Sequence, residues 1–507
     1  FDIPTEFPAA AIAEAEAAAP ISPAGRTDLR ELPLVTIDGN DARDFDDAVW
    51  AEPDRDPVNA GGWHLVVAIA DVAWYVRPGS GLDREAERRG NSVYFPDRVV
   101  PMLPEALSNE LCSLKPAVDR ACLAVELWID SAGRKRRHRF MRAVMRSAAR
   151  LTYEEIQGVR DGHAKPPTGV PPELVAALYG AFASLARARA ARGALDLDLR
   201  EDRVVLDGDG RPVAVVPAWR LDSHRLIEEF MILANVAAAE ELEARRQSCM
   251  YRIHDSPDPE KVVALRDFLA ELGLPGLAFA KGQAPKPELF NRLLQRAAAT
   301  PVAPLVNDLV LRCQAQAVYS PDNIGHFGLG LRRYAHFTSP IRRYADLLVH
   351  RALIAGANLA GGDFGAGALP AEFDHERMAA VGDHISATER RAAAAERAAI
   401  ERYRTTLVAG SVGAVFAARV SGVAEFGLFV TLAESGATGL LPISALPGDY
   451  YDFDQKGHRL VGRRYGRVFR LGDEISVRLV EADAIGGRLL FRLENGAPGV
   501  RRGARHG

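Results

Sequence analysis

Four carboxylates, Asp38, Asp44, Asp46 and Asp47, fall within ten residues in the stretch Thr36-Ile-Asp-Gly-Asn-Asp-Ala-Arg-Asp-Phe-Asp-Asp-Ala-Val, directly after a β-type run. Two ionised carboxylates about 5 Å apart repel by roughly 3 kcal/mol at an effective dielectric of about 20. A converging cluster therefore needs raised pKa values or bound cations. Hard oxygen donors favour Mg²⁺, with Mn²⁺ as the alternative. Such a site can position a water and neutralise charge on a phosphodiester in its transition state, so hydrolytic phosphoryl chemistry is the natural reading. Taken alone, an acidic run of this kind more often only solvates a turn. A calcium loop fails on spacing: counted from Asp38, Arg43 stands where an EF-hand needs glycine and Val49 where it needs glutamate.

A second constellation is His336-Phe-Thr-Ser-Pro-Ile-Arg-Arg-Tyr-Ala-Asp. It predicts a helix start with Ser339 as N-cap, Pro340 at the first helical position and an apolar face of Ile341, Tyr344 and Leu348. Arg342 and Arg343 then lie in the first turn. Cations there oppose the helix dipole, yet arginines beside free amides make a good grip for a phosphate. The competing reading is an i,i+4 ion pair between Arg342 and Asp346, and the residues alone do not decide between the two.

The elements that must position these groups read as a mixed α/β pattern from Leu34 to about residue 405. Its β-type runs include Trp63-His-Leu-Val-Val-Ala-Ile-Ala and its helical stretches Ser223 to Ala244. Met378 to Leu407, free of proline, predicts one long helix. Five short runs follow, beginning at Gly413, Gly427, Gly439, Glu474 and Arg488, the strand count of an OB-fold barrel. The expected organisation is an N-terminal arm over 1–30, a catalytic α/β domain over 31–407, an all-β OB-fold domain over 408–495 and a basic tail over 496–507. The arm holds an Ala/Glu helical patch, Ala9 to Ala19, and no visible chemistry.

Composition excludes more than it assigns. With 63 basic and 67 acidic residues, the net charge of −4 gives no global sign of a nucleic-acid partner, so any basic surface is local. Cys112, Cys122, Cys249 and Cys313 lack disulfide-framework or zinc spacing and read as free thiols in a reducing cytoplasm. No apolar run reaches membrane-spanning length, and no signal peptide is visible, so a soluble cytoplasmic protein is expected. The basic stretch Arg134-Lys-Arg-Arg-His-Arg reads as a solvated strand edge before it reads as an RNA site. The chain opens on Phe1 rather than methionine, which raises the expectation of an upstream segment with further modules.

Taken together, the motifs closely resemble the catalytic (RNB) domain of the ribonuclease II and ribonuclease R family. The aspartate segment Thr36 to Ala48 carries that likeness, with Ala68-Ile-Ala-Asp-Val-Ala, Asn91-Ser-Val-Tyr-Phe-Pro, Met102-Leu-Pro, Leu111-Cys-Ser-Leu, His224-Arg-Leu-Ile-Glu-Glu-Phe-Met and the His336 to Asp346 segment. The resemblance implies that Asp38, Asp44, Asp46 and Asp47 are the metal-binding and catalytic carboxylates, Asp46 above all. It implies that Arg342 contacts the scissile phosphate, with Arg343 beside it, and that Glu396 on the long helix lies near the reacting end of the RNA. Tyr94 matches the aromatic that stacks on the terminal base, and Glu228 or Glu229 supports that clamp. Leu197 stands where many relatives carry a wedging phenylalanine, which leaves the length of the limit product open. The barrel resembles the OB-type RNA-binding module repeated in a large ribosomal protein, with Phe426 and Phe429 either as stacking residues or as core.

What the resemblance implies as activity is processive, Mg²⁺-dependent 3′-to-5′ hydrolysis of single-stranded RNA to nucleoside 5′-monophosphates and a short limit oligonucleotide, by a monomer. Family members often carry cold-shock-like domains ahead of the catalytic domain, and about 30 residues cannot hold one. Two rivals stand beside this reading. A degenerate RNA-binding regulator would need at least one of the four aspartates replaced, and none is. A phosphoesterase for small nucleotides would turn over mononucleotide esters faster than oligoribonucleotides.

Overall fold

Eight residues from Trp63 to Ala70 form the middle strand of the main sheet, with the last six wholly buried. That is why the run reads as continuously apolar rather than alternating. In the computed structural model, which describes residues 1–197, 201–271, 285–300, 302–357, 359, 367–455 and 457–494, this strand is the centre of seven. Their order is Thr27–Asp28, Lys135–Arg146, Asp119–Ile129, Trp63–Ala70, Asp47–Pro53, Val35–Asp38 and Ala149–Thr152. Neighbours run antiparallel except at the two edges, where the first pair and the last pair are parallel. The expected basic tail, 496–507, lies outside the described residues.

Helices cover the sheet. Pro172–Ala191 packs on the Asp47–Pro53 strand, and Asp222–Ala244 lies on it in turn and carries Tyr344–Gly356. Every residue from Tyr344 to Ile354 is buried, so the polar side chains of this helix need internal partners. They have them: His350 Nε2 meets Phe337 O at 2.7 Å, and Arg351 donates to Asp83 Oδ1 at 2.7 Å and to Val76 O at 2.8 Å.

The predicted helix start at Ser339 is not what forms. Arg343, not Ser339, precedes the helix, with extended backbone at φ −140° and ψ 123°. Two backbone hydrogen bonds to the 90–92 segment hold it out, Ser92 N–H donating to Arg342 O and Tyr344 N–H donating to Gly90 O, and together they form the bridge between Asn91 and Arg343. Residues 339–343 are therefore a turn, and neither arginine lies in the first turn of a helix: Arg343 is the residue that caps it and Arg342 stands outside.

The long helix spans His375–Ala409, capped by the Asp374 carboxylate, which accepts from Arg377 N–H at 2.8 Å. Met378, Val381 and Ile385 are rooted in the main core and Val408 in the core of the C-terminal barrel. That barrel closes from five strands, Val415–Ala424, Gly427–Leu432, Thr438–Pro442, Arg488–Leu493 and Glu474–Asp483 in spatial order, around Val420, Leu428, Leu441, Val477 and Phe491. Gly427 is required there: its φ is +151°, and a Cβ would come within 2.4 Å of Leu441 O. The sequence reading omits a small sheet inserted between the third and fourth strands in sequence, Tyr451–Asp454, Arg459–Gly462 and Val468–Arg470.

Three helices, Pro259–Glu271, Pro287–Ala298 and Ala303–Cys313, make a separate core around Phe290 and Val306. Leu471 of the barrel is buried in that core, and Leu195 and Leu197 pack against it.

Candidate active site

The strand Val35–Asp38 delivers Asp38, the strand Asp47–Pro53 begins with Asp47, and the loop between them carries Asp44 and Asp46. That loop is pinned from outside. Ser113 Oγ donates to Arg43 O at 2.8 Å and accepts from Phe45 N–H at 3.0 Å. Arg150 Nη2 donates to Gly39 O at 2.7 Å and to Asn40 O at 2.9 Å. The Leu111-Cys-Ser-Leu motif thus acts through its serine, as a clasp on the acidic loop.

Burial and crowding raise the carboxylates. Asp47 is pushed up to about 8, first by burial and then by Asp38, against the pull of Arg342. Asp38 is pushed up to about 6 by burial and by Asp44, opposed by Arg342 and Arg150. Burial holds Asp46 well above the carboxylate range, with Arg342 working against it. Asp38 Oδ2 and Asp46 Oδ2 are buried acceptors with no hydrogen-bond donor. Among the described residues no three His, Cys, Asp or Glu side chains are placed to hold a metal ion. The donor set is all-oxygen, electrostatically strained and in part unsatisfied, which fits a hard divalent cation in chemistry, though the side chains as placed do not close around one.

Over this cluster stands Arg342. Its Nε lies 3.4 Å from Asp46 Oδ2 and its Nη2 donates to Ser339 Oγ at 2.9 Å, while the side chain stays 42% exposed. Ile341 N–H donates to Asp46 Oδ1 at 2.9 Å. Arg343 does not share this position: its guanidinium grips Asp346 with two bonds, Nε to Oδ2 at 2.9 Å and Nη2 to Oδ1 at 2.8 Å. The Arg342–Asp346 pair weighed above does not form; the acid pairs with Arg343 instead.

Tyr94 and Glu396 arrive from distant parts of the chain and meet. Tyr94 N–H donates to Glu396 Oε1 at 2.8 Å, and Tyr94 Oη donates to Asp44 Oδ2 at 3.4 Å. Tyr94 is 40% exposed as a residue, with its phenol end buried toward Asp44, so the strand-core alternative does not hold. Glu228 and Glu229 go elsewhere: both accept from Arg189 Nη1, at 3.1 and 2.8 Å, Glu229 lies 3.6 Å from Arg192 Nη2, and Glu228 also pairs with Arg220. Arg189 reaches toward Leu195 O, so the two glutamates brace the segment that leads to Leu197. Leu197 itself is half-buried.

Phe426 and Phe429 meet edge to face at 5.9 Å, 57% and 39% exposed, and line a 710 Å³ groove with Leu440, Leu490 and Glu401. They are surface aromatics, not core. The basic stretch near Arg134 is tied internally: Arg134 to Asp130, Lys135 to Glu240, His138 to Glu241, Arg139 to Glu126, and Arg137 over the Trp128 ring. All four cysteines are buried and free.

Two residues near the cluster escape a reading of the sequence. Arg150 and Tyr153 arrive beside it because the Ala149–Thr152 strand pairs in parallel with Val35–Asp38, a long-range register that spacing does not encode. Tyr153 stacks on His224 at 3.9 Å, and its phenol is pushed up first by burial and then by Asp47 and Asp38.

Comparison with known proteins agrees with this arrangement. The RNB domain model matches residues 26–357 and the S1 RNA binding domain model residues 411–491. Ribonuclease R of Escherichia coli is 44% identical over 464 residues, 90% of this chain and 56% of that protein, and ribonuclease R of Aquifex aeolicus is 41% identical over 97% and 69%. The chain therefore spans little more than half the length of the E. coli relative. Among solved structures, Mycoplasma genitalium RNase R in complex with ribose methylated single-stranded RNA superposes with a TM-score of 0.90 at 28% identity, over 97% of this chain and 76% of that one. The site, the barrel and these matches agree: the chain belongs to the RNB-domain family, of which ribonuclease R is a member.

Proposed function

We propose that this chain is a Mg²⁺-dependent 3′-to-5′ exoribonuclease that degrades single-stranded RNA processively to nucleoside 5′-monophosphates and a short limit fragment. The observation that carries the reading is the meeting of Asp46, Arg342, Tyr94 and Glu396 in one partly open site. Asp38, Asp44, Asp46 and Asp47 would hold the divalent cation, with Mn²⁺ as the alternative ion. When bound, that cation supplies Lewis acidity and a water of lowered pKa.

The chain's own residues do the rest. Arg342 already leans on Asp46 and keeps guanidinium surface toward solvent, where it meets the phosphate and the charge that develops on it. Tyr94 offers its ring to the terminal base, and the Glu396 carboxylate fixes the backbone from which that ring projects. Phe426 and Phe429 offer a second stacking platform for the strand upstream. Direction and processivity follow the family resemblance, and so does action as a monomer in the cytoplasm. No helix among the described residues is long and apolar enough to cross a membrane.

The test is a time course on 5′-labelled single-stranded RNA and matching DNA, with Mg²⁺ or EDTA, resolving every product. Mg²⁺-dependent shortening of RNA alone, down to a small labelled fragment, is the expected result. Intact RNA that remains bound under every condition would replace the enzyme with a binding protein.

A further inference from the structure

The turn from Ser339 to the first residues of the Tyr344–Gly356 helix is closed by one side chain. Asp346 is wholly buried; its Oδ1 accepts from Ser339 N–H at 2.8 Å and from Arg343 Nη2 at 2.8 Å, and its Oδ2 accepts from Arg343 Nε at 2.9 Å. The turn so tied presents two groups to Asp46: the Ile341 amide, which donates to Oδ1 at 2.9 Å, and the Arg342 guanidinium, whose Nε makes an ion-pair contact 3.4 Å from Oδ2. Ser339, fixed through its amide by Asp346, accepts from Arg342 Nη2 through its hydroxyl. From Asp346 to the reacting arginine is therefore a path of two hydrogen bonds. The Arg342 carbonyl and the Tyr344 amide hold Ser92 and Gly90, so the strand that ends at Tyr94 hangs on the same turn.

We propose that Asp346 is a positioning residue for the reaction, setting the orientation of Arg342 and of the Ile341 amide toward Asp46 through Ser339 and Arg343. The proposal rests on the hydrolytic reading given above. A buried ion pair is weak evidence for stability, and its better-attested use is to impose one geometry on its neighbours. Here the geometry imposed is that of groups facing a reactive carboxylate. Arg343 suits the role because its planar fork saturates both oxygens of Asp346 at once, which a lysine cannot do.

The test is a double-mutant cycle on the full chain, crossing Asp346→Asn with Arg342→Lys. Single-turnover hydrolysis is read with Mg²⁺ over hours, and RNA affinity is read in EDTA. Asp346→Asn is expected to slow the chemical step about 10²-fold with RNA affinity held within about threefold, since displacement on the order of 1 Å carries that cost. With Arg342→Lys already present, the further loss is expected to shrink to less than about fivefold, because groups acting as a unit are strongly non-additive. An equal loss in both backgrounds, or weakened binding with the chemical step unchanged, overturns the proposal and leaves Asp346 as scaffold. If Asp346→Asn does not fold, Arg343→Lys takes its place in the cycle and must show the same non-additivity. A wild-type chain that leaves RNA intact with Mg²⁺ would overturn the activity and this role together, an outcome separate from the others.

Discussion

Asp46 combines two duties that one substitution separates. Its Oδ1 receives the Ile341 amide and its Oδ2 is left without a donor. Asparagine can keep the first contact and removes the charge from the second. Asp46→Asn is expected to lower turnover by about 10³-fold while RNA binding and the fold persist, checked by product gels beside filter binding and thermal unfolding. Loss of binding together with unfolding would make Asp46 structural. For Tyr94→Ala the expected change is of another kind: loss of stacking of about 1 to 3 kcal/mol on a base, read as a longer limit fragment on a sequencing gel. An unchanged fragment would remove Tyr94 from the clamp. At this scale the sequence brought forward the four aspartates and Arg342, which the fold does gather in one place, through the motifs they belong to rather than through residue type alone. It was silent on Arg150 and Tyr153, which long-range strand pairing brings beside the cluster, and it gave Asp346 the wrong partner, Arg342 in place of Arg343.

The loop that carries the aspartates has a pH signature of its own. Asp38 is raised to about 6 and Asp47 to about 8, so the folded, metal-free chain holds protons that the unfolded chain releases near its ordinary carboxylate values. Stability from these groups is present at low pH and is lost as pH climbs through the two folded values. In EDTA the melting temperature is therefore expected to fall between pH 6 and pH 8 on that account. Added Mg²⁺ is expected to raise it more at the upper end than at the lower, because cation binding displaces the same protons. Equal Mg²⁺ shifts at both ends, measured by differential scanning fluorimetry, would argue against these carboxylates as ligands. Elements with one strong period were legible in advance: the apolar Trp63–Ala70 strand, the Asp222–Ala244 helix and the five barrel strands. The helix predicted to start at Ser339 does not start there because its sound local signals are overridden by the ties from Gly90 and Ser92. The small sheet over 451–470 went unseen because its strands run only three or four residues.

Across the whole molecule, charge is a poor guide to what is bound. The net charge of −4 points to no partner, and four of the six basic residues from Arg134 to Arg139 are paired with carboxylates, so the proposed RNA reading rests on aromatic faces and on one arginine. Replacing Phe426 and Phe429 together by alanine is expected to weaken affinity for long RNA by about tenfold or more, with little effect on oligomers too short to reach the barrel. Titrating both lengths side by side checks this, and equal weakening of both would place the pair outside the RNA path. The His375–Ala409 helix joins that barrel to the site, Glu396 at the Tyr94 amide and Glu401 at the phenylalanine groove. Rooted in one core by Met378 and in the other by Val408, it transmits angle as well as distance. Each residue turns a helix by about 100° and advances it about 1.5 Å. One residue gained or lost after Glu396 would swing the barrel's aromatic face away from the strand it is meant to receive, with every contact inside each body preserved. Seven residues would restore the angle yet carry the barrel about 10 Å along the axis, out of reach of the core in which Leu471 is seated, so the helix works as a gauge whose length is fixed in both respects.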